Sequence, residues 1–181
     1  MRQSSMSLEI QAMDLTDLPF EPGTNKAAQS ILVRSEPDED AVAEGETGPF
    51  GWMDLRDVQE NFSRLIDADE VVLTAAEATL VLWYPLAGAA IRLLRPSDGK
   101  SFTRGELVRL IDETYREVYR LEANSQSSPT PPIGERGSLM NRPKSDGIFG
   151  IHGHDLDDLG IEEIEVYRID GKIWLDLGMC S

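Results

Sequence analysis

A turn near the C-terminus constrains the fold of this chain more than any other feature. Asp170-Gly171 is the preferred dipeptide for a two-residue type I′ hairpin, and it lies between two runs of strand-forming residues, GIEEIEVYRI and KIWLDLGM. The register that this turn imposes pairs Tyr167 with Trp174 and Glu165 with Asp176. The sequence therefore predicts a C-terminal β-hairpin.

The two faces of this hairpin differ in chemistry. Side chains alternate along a strand, so one face carries Ile164, Val166, Ile173, Leu175 and Leu177 and is predicted to be core. On the other face, Glu165 lies opposite Asp176, which is destabilising unless water, a cation or a basic side chain intervenes. We therefore expect Glu165 and Asp176 to contact a basic group of a partner or of the chain itself. The internal candidates are Arg109, Arg116 and Arg120.

A long amphipathic helix is predicted to begin near Thr103. Thr103 and Glu106 form a capping box, in which each side chain satisfies a backbone donor of the other residue. Apolar residues then recur at helical spacing, at Leu107, Leu110, Ile111, Val118 and Leu121. The three arginines lie on the other side of this helix, as a ligand patch or as partners of nearby glutamates.

The remaining apolar segments predict an α+β fold class. Residues 54–66 carry apolar side chains at helical spacing and predict a second helix. The run 71–91 has the length of a membrane span, but Glu77 and Pro85 interrupt it, so strands are predicted there and no membrane span. We expect a small antiparallel sheet, built from strands at 71–95 and the C-terminal hairpin and covered by two helices.

The N-terminal quarter of the chain has a different composition. Residues 1–46 hold few large apolar side chains and an acidic EPDED, so we expect an acidic, flexible arm before a single domain at 47–181. Apolar residues in this arm alternate with acids, as in segments that order on a partner, although an incidental hydrophobic segment is the alternative. The candidate partner-binding residues are Leu8, Ile10, Met13, Leu15, Leu18 and Phe20. A long Pro/Ser-rich loop is predicted at 124–147, where Ser128 and Thr130 each precede a proline and are candidates for phosphorylation.

Charge and cysteine content restrict the partner and the compartment. The 33 acidic and 17 basic residues among 181 give a net charge of −16, which repels phosphate backbones and anionic lipids. We expect no direct nucleic-acid binding, and instead a protein partner with a basic surface or a homo-oligomer; a solvated surface in a saline environment is the alternative. The single cysteine, Cys180, and the lack of a signal peptide favour an intracellular setting, cytoplasmic or another soluble compartment.

The stretch GIHGHDLDD is the candidate metal site. His152 and His154 project to the same side of an extended chain. Carboxylates that could complete a ligand set for Zn, Mn or Fe follow at Asp155, Asp157 and Asp158. A glycine-rich turn anchored by leucines is the alternative interpretation, because there is no further histidine and no HExxH motif. We therefore expect no cofactor, with a divalent metal at this stretch as the alternative.

The same stretch carries a resemblance. GIHGHDLDDL followed by a short hairpin is similar to the C-terminal segment of small uncharacterised proteins of large DNA viruses and protists, which tends to read G-I-W-G-H-D-L-x-D-L. The resemblance covers roughly residues 147–181, and His152 stands where that pattern has an aromatic residue. The resemblance implies no activity for this chain.

These patterns favour a non-enzymatic interaction or assembly protein that docks on a partner through its N-terminal arm and its acidic surface. The sequence contains no nucleophile elbow and no P-loop, so an enzyme is not expected. One alternative is a metal-binding protein or metal-dependent hydrolase centred on the segment His152–Asp158. A second alternative is an acidic mimic of nucleic acid that binds basic nucleic-acid-binding proteins.

Overall fold

A computed structural model describes residues 9–24, 26–56, 58–136 and 141–181. Within these ranges the strands are β1 (Ile10–Met13), β2 (Gln29–Leu32), β3 (Met53–Asp54), β4 (Val71–Thr74), β5 (Ala78–Leu82), β6 (Ala89–Leu94), β7 (Ser101–Thr103), β8 (Gly160–Ile169) and β9 (Lys172–Cys180). The α-helices are α1 (Glu39–Ala43), α2 (Val58–Asn61) and α3 (Arg104–Ser125). Short 3-10 helices span Leu15–Asp17, Phe62–Arg64, Ile133–Glu135 and Leu156–Asp158.

Seven of these strands form one sheet in the order β1-β6-β5-β9-β8-β2, with β3 also paired to β8. The pairs are antiparallel except for β5 and β9, which run parallel. The remaining strands, β4 and β7, pair with each other outside this sheet. The fold is therefore mixed α and β with mostly antiparallel pairing, and the prediction of a small sheet was wrong, because strands from the N-terminal quarter extend it at both edges.

The C-terminal hairpin is confirmed in its predicted register. Glu165 is the partner of Asp176, and Tyr167 is the partner of Trp174. The turn Asp170-Gly171 has φ values of 51° and 75° at its two residues, which is the left-handed pair that a type I′ turn requires. The hairpin forms because its turn, its alternation and its burial all specify the same register.

Helix α3 begins at the predicted cap. The Thr103 hydroxyl accepts a hydrogen bond from the Glu106 backbone N–H at 3.1 Å. The Glu106 carboxylate accepts from the backbone N–H of Ser97 at 2.6 Å and not from that of Thr103, so the second half of the predicted capping box was wrong. Glu106 instead ties the helix to the preceding loop. The apolar stripe of α3 packs on one face of the sheet, where its Ile111 and Tyr115 are buried together with Phe102 of β7. Burying each such side chain contributes about 1.5 to 3 kcal/mol.

The helix predicted over residues 54–66 is much shorter in the structure. Asp54 belongs to β3, where it pairs with Gly160, and α-helix is restricted to Val58–Asn61 before a 3-10 turn. Leu55 and Leu65 are both buried. The apolar spacing therefore indicates which side chains enter the core, and one short α-helix followed by a 3-10 turn satisfies it as well as a long helix does.

The range predicted as a flexible arm contributes to the sheet. β1 pairs with β6 and β2 pairs with β8, so the chain between them crosses from one edge of the sheet to the other. Ile31 and Val33 are buried in the main core. The arm prediction is thus corrected for the described residues from 9 to 35, because pairing to an existing sheet supplies the backbone hydrogen bonds and burial that the segment cannot supply alone. Residues 36–46 belong to no strand of the sheet, and none of them is buried.

Candidate functional site: the strap-covered face and the histidine-aspartate segment

The face of the sheet opposite α3 is covered by a strap, which we define as residues 14–24 and 26–28. The strap joins β1 to β2 and lies over Trp83, Tyr167 and Trp174. Phe20 stacks on the Tyr167 ring, with centroids 4.3 Å apart, and approaches the Trp174 ring edge-on at 6.3 Å. The strap therefore fills an aromatic surface that the sheet alone would expose to water.

Asp176 lies under the strap and is fully buried, with 0% of its surface exposed. Its Oδ1 accepts from the Trp83 indole N–H at 2.7 Å and from its neighbour Leu177 N–H at 2.8 Å, and its Oδ2 accepts from the Gly23 N–H at 2.7 Å. Burial raises the pKa of Asp176, while these donors act in the opposite direction. The carboxylate fastens the strap to the sheet.

Glu165 is the buried neighbour of Asp176 across the hairpin. Its Oε2 accepts from the Tyr167 hydroxyl at 3.4 Å, and burial followed by the charges of Asp176 and Glu163 raises the pKa of Glu165. The two carboxyl groups are thus buried next to each other. The hairpin register predicted that these two acidic side chains would lie opposite each other.

The expected arginine partners of this acid pair lie elsewhere. Arg116 donates to the Leu55 carbonyl at 2.9 Å, and Arg109 stacks over the Phe62 ring at 3.6 Å. Arg120 forms an ion pair with Glu117 at 2.6 Å. All three belong to α3, which packs on the other face of the sheet, so the prediction that they neutralise the acid pair was wrong. One indole N–H and two backbone N–H groups supply the donors to Asp176 instead.

The structure brings most of the predicted partner-binding residues onto one face. Met13, Leu18 and Phe20 pack in one cluster with Trp83 and Trp174, next to the acid pair. Ile10 packs against the main core, Leu15 is exposed, and Leu8 lies outside the described residues. The segment predicted to order on a partner therefore orders on the chain's own sheet.

The predicted metal-binding residues have other partners. His152 is exposed, with its Nδ1 3.3 Å from the Gly150 carbonyl, and the His154 ring lies 5.6 Å from that of Tyr84. Asp155 binds Arg136 through two hydrogen bonds of 2.6 and 2.9 Å and Arg142 through one of 2.9 Å. Hydrogen bonds from Arg136 are the largest cause that holds the pKa of Asp155 below its usual range.

The two following aspartates stabilise the same turn. The Asp158 carboxylate accepts from the Asp155 backbone N–H at 3.0 Å, and the Asp157 carbonyl accepts from Arg56 at 3.3 Å. Across the described ranges, no three or more His, Cys, Asp and Glu side chains are grouped so that they could hold a metal ion. The structure does not bring the two histidines and the three aspartates together as a ligand set.

Glu122 is a site residue that the sequence analysis missed. It is fully buried (0% exposed) near the end of α3, where it accepts from the backbone N–H groups of Gly147 (3.0 Å), Phe149 (2.7 Å) and Gly150 (3.1 Å) and from the Ser145 hydroxyl. The GIFG stretch is therefore a loop wrapped around an internal carboxylate. The available signal was an acid in register with the buried stripe of α3, four residues after Val118.

Cys180 is a poor nucleophile. It is half-buried at the end of β9, and burial followed by the charge of Glu162 raises the pKa of its thiol. The reactive thiolate is disfavoured at neutral pH.

Comparisons of the chain with protein-family models, with curated proteins and with solved structures find no match. The resemblance of the GIHGHDLDDL stretch to viral and protist proteins therefore stays a prediction. None of the helices in the described ranges combines the length and the apolar character needed to cross a membrane.

Proposed function

We propose that this protein is a non-enzymatic interaction protein that docks on a basic surface of a partner through an acidic projection. The projection consists of residues 36–49, and its base is closed by two backbone hydrogen bonds between Ser35 and Phe50, of 3.2 and 2.8 Å. None of its residues is buried, so it contributes nothing to the core of the described structure. A surface element of this kind is more readily explained by binding than by folding.

The charge of the acidic projection is of one sign. It contains no lysine or arginine, and its acids are Glu36, Asp38, Glu39, Asp40, Glu44 and Glu46. Val42 stands among them on α1 with 56% of its surface exposed. An exposed apolar side chain in an acidic segment complements a basic surface that has an apolar centre.

The base of the projection is anchored to the domain. Asp38 accepts from the Ala41 N–H at 2.8 Å as the cap of α1, and it pairs with Arg64 at 3.3 Å. Arg64 also donates to the Glu36 carbonyl at 3.4 Å. These contacts hold the base of the projection against the domain, which lowers the entropy lost when a partner binds.

The sequence predicted that apolar residues of the N-terminal arm bind the partner, and the structure places three of them in the strap contacts instead. Because Met13, Leu18 and Phe20 are packed on the chain's own sheet, the proposal rests on the acidic projection and leaves the strap in place. Self-assembly through the acidic projection would require a second copy of the chain to present a basic surface. Because the chain has a net charge of −16, a different protein with a basic surface is the better complement.

The test compares two variants with the same net charge. One carries Glu39→Gln, Asp40→Asn, Glu44→Gln and Glu46→Gln, which leave the anchors in place. The control carries Asp69→Asn, Glu77→Gln, Glu135→Gln and Asp170→Asn, all at exposed positions. Partners are captured on the immobilised full chain by chemical cross-linking in extracts of the source cells at low and high salt.

We expect a partner that the wild type and the control retain and that the projection variant loses. Its retention should weaken as the salt concentration rises, because salt screens exposed charges. Equal retention by both variants would mean that only the overall charge matters, and the proposed docking element would then be wrong.

A further inference from the structure

Thr130 stands beside two nearly buried arginines, and we infer that it is a phosphorylation site whose phosphate these arginines bind. Thr130 precedes Pro131 in the segment between α3 and the 3-10 helix Ile133–Glu135. This inference is independent of the proposed docking function, since it concerns a different part of the surface.

The hydroxyl of Thr130 already contacts one of the arginines. Its Oγ1 donates to the Gln126 side-chain oxygen at 3.1 Å and accepts from Arg142 Nη2 at 3.2 Å. A phosphoryl group on this oxygen therefore brings its terminal oxygens to the guanidinium of Arg142. Phosphate–arginine pairs of this kind are among the strongest hydrogen-bonded contacts in proteins.

The arginines are held in place before any modification. The side chains of Arg136 and Arg142 are only 5% and 10% exposed, and both contact the carboxylate of Asp155. Arg136 Nε also donates to the carbonyl of Pro131, the residue after Thr130, at 2.8 Å. A phosphate at Thr130 would therefore bind guanidinium groups that are already ordered, so binding would cost little additional side-chain entropy.

The local charge balance favours an added anion. Two guanidinium groups share the Asp155 carboxylate, and the more distant Asp158 carboxylate is bound to a backbone N–H. Arg142 Nε is buried and has no hydrogen-bond partner among the described residues. A phosphothreonine carries a charge of about −1.5 to −2 and three acceptor oxygens, which can satisfy this donor.

Ser128-Pro129 supplies a matched comparison two residues away. The neighbouring Ser127 donates its backbone N–H to Asp146 at 3.0 Å, and its hydroxyl binds the same carboxylate. A phosphate on Ser128 would stand near this acid, whereas a phosphate on Thr130 would stand near the arginines. The structure thus distinguishes two Ser/Thr-Pro dipeptides that the sequence treats alike.

The co-reactants of the modification are ATP and a proline-directed Ser/Thr kinase. The bond between Oγ1 of Thr130 and the γ-phosphorus forms as the bond from that phosphorus to ADP breaks. The hydroxyl proton passes to the base of the kinase. The product is phosphothreonine in contact with Arg142, which links the segment 126–136 to the turn that contains Asp155.

The experiment treats the folded full chain with ATP and a proline-directed kinase, and maps the phosphate by mass spectrometry. We expect Thr130 to be modified, in the wild type and in Ser128→Ala. Amide hydrogen exchange in residues 130–136 should then slow by roughly tenfold or more, the factor expected for one charge-assisted hydrogen bond. In phosphorylated Arg142→Gln this slowing should be lost.

A second measurement uses the wild-type sequence and does not depend on any substitution. Phosphorus NMR gives the second pKa of the phosphate, ordinarily about 6, in the folded protein and in the same protein unfolded in urea. Contact with arginine should lower that pKa in the folded state. Absence of phosphate on Thr130, exchange that is unchanged or faster, or equal pKa values in the two states would each overturn the inference.

Discussion

Single residues under the strap determine how this face of the sheet responds to pH. Burial raises the pKa of Asp176, and it is also the first cause of the raised pKa of Glu165. A carboxyl group whose pKa is raised by folding stabilises the folded state fully below the ordinary carboxyl pKa. This stabilisation is lost as the pH rises through the raised value, because the folded state must then ionise a buried group.

Asp176→Asn should therefore change the pH dependence of stability. The asparagine cannot ionise, but it replaces the acceptor for the Gly23 N–H with an amide donor, which costs about 1 to 3 kcal/mol at every pH. Relative to the wild type, the free energy of unfolding of the variant should improve as the pH rises from about 4 to about 8. Urea titrations at several pH values in this range measure the free energy of unfolding. Asp170→Asn, in the exposed hairpin turn, is the control. Parallel curves for Asp176→Asn and the wild type would contradict this assignment.

Gly23 is required where the strap passes over Trp83. It has φ +71°, and an added Cβ would lie 2.7 Å from Cζ2 of the indole. Gly99 has almost the same backbone conformation, φ +68°, but an added Cβ there meets nothing within 4 Å. The pair separates the cost of backbone strain from the cost of a steric clash.

We expect Gly99→Ala to lower the free energy of unfolding by about 1 kcal/mol and Gly23→Ala by about 2 to 4 kcal/mol. Urea unfolding followed by tryptophan fluorescence measures both, and the signal of native Gly23→Ala should also change because Trp83 must move. Equal losses in the two variants would show that the strap does not pack as described.

At the scale of elements, α3 carries the carboxylate that shapes the GIFG loop. Glu122→Gln replaces one acceptor oxygen by an amide donor that faces backbone N–H groups. We expect it to lower the free energy of unfolding by about 2 to 4 kcal/mol and to speed amide exchange at Phe149 and Gly150. Glu77→Gln, at an exposed ion pair with Arg95, should change stability by less than about 0.5 kcal/mol. Unchanged protection of the loop in Glu122→Gln would refute its role.

The histidine-aspartate segment gives a prediction of its own. Because Asp155 is bound to two arginines, we expect the untagged protein purified without chelator to hold no stoichiometric metal. His154→Ala should lose only the contact with Tyr84 and keep the same metal content. Elemental analysis measures the metal content of both proteins. Stoichiometric metal in the wild type that is absent from His154→Ala would restore the metal-binding alternative.

At the scale of the whole molecule, the N-terminal segment is expected to be essential to the fold. Deleting residues 1–28 removes β1 and the strap, exposes the Trp83 and Trp174 side of the sheet, and leaves β6 as an unpaired edge. We expect the melting temperature to fall by about 10 °C or more and the protein to self-associate. Thermal unfolding and light scattering measure these effects.

Deletion of residues 1–8 is the matched control, since it leaves every described residue in place. It should keep the wild-type melting temperature within a few degrees. A melting temperature close to the wild type for the longer deletion would support the flexible arm that the sequence predicted.

Sequence reasoning was most successful where the signal is local. The hairpin register and the Thr103 cap depend on residues within a few positions of each other, and both are confirmed. The prediction of one helix over 54–66 was wrong because helical spacing also fits a short strand followed by a short α-helix and a 3-10 turn. Glu122 was missed because a single acid on an apolar stripe gives no indication of the loop, 25 residues later, that binds it.

The sequence by itself determined the C-terminal hairpin, the capped helix and the opposition of Glu165 and Asp176, because turn chemistry, side-chain alternation and helical periodicity act over short distances along the chain. Only the tertiary structure decided that β9 pairs in parallel with β5, that the N-terminal segment crosses the sheet as a strap, and that Asp155 binds arginines. These outcomes depend on contacts between distant parts of the chain. Such contacts form only when the free energy gained from burial and hydrogen bonding in the whole fold exceeds the entropic cost of ordering the chain. A short sequence pattern does not contain that information.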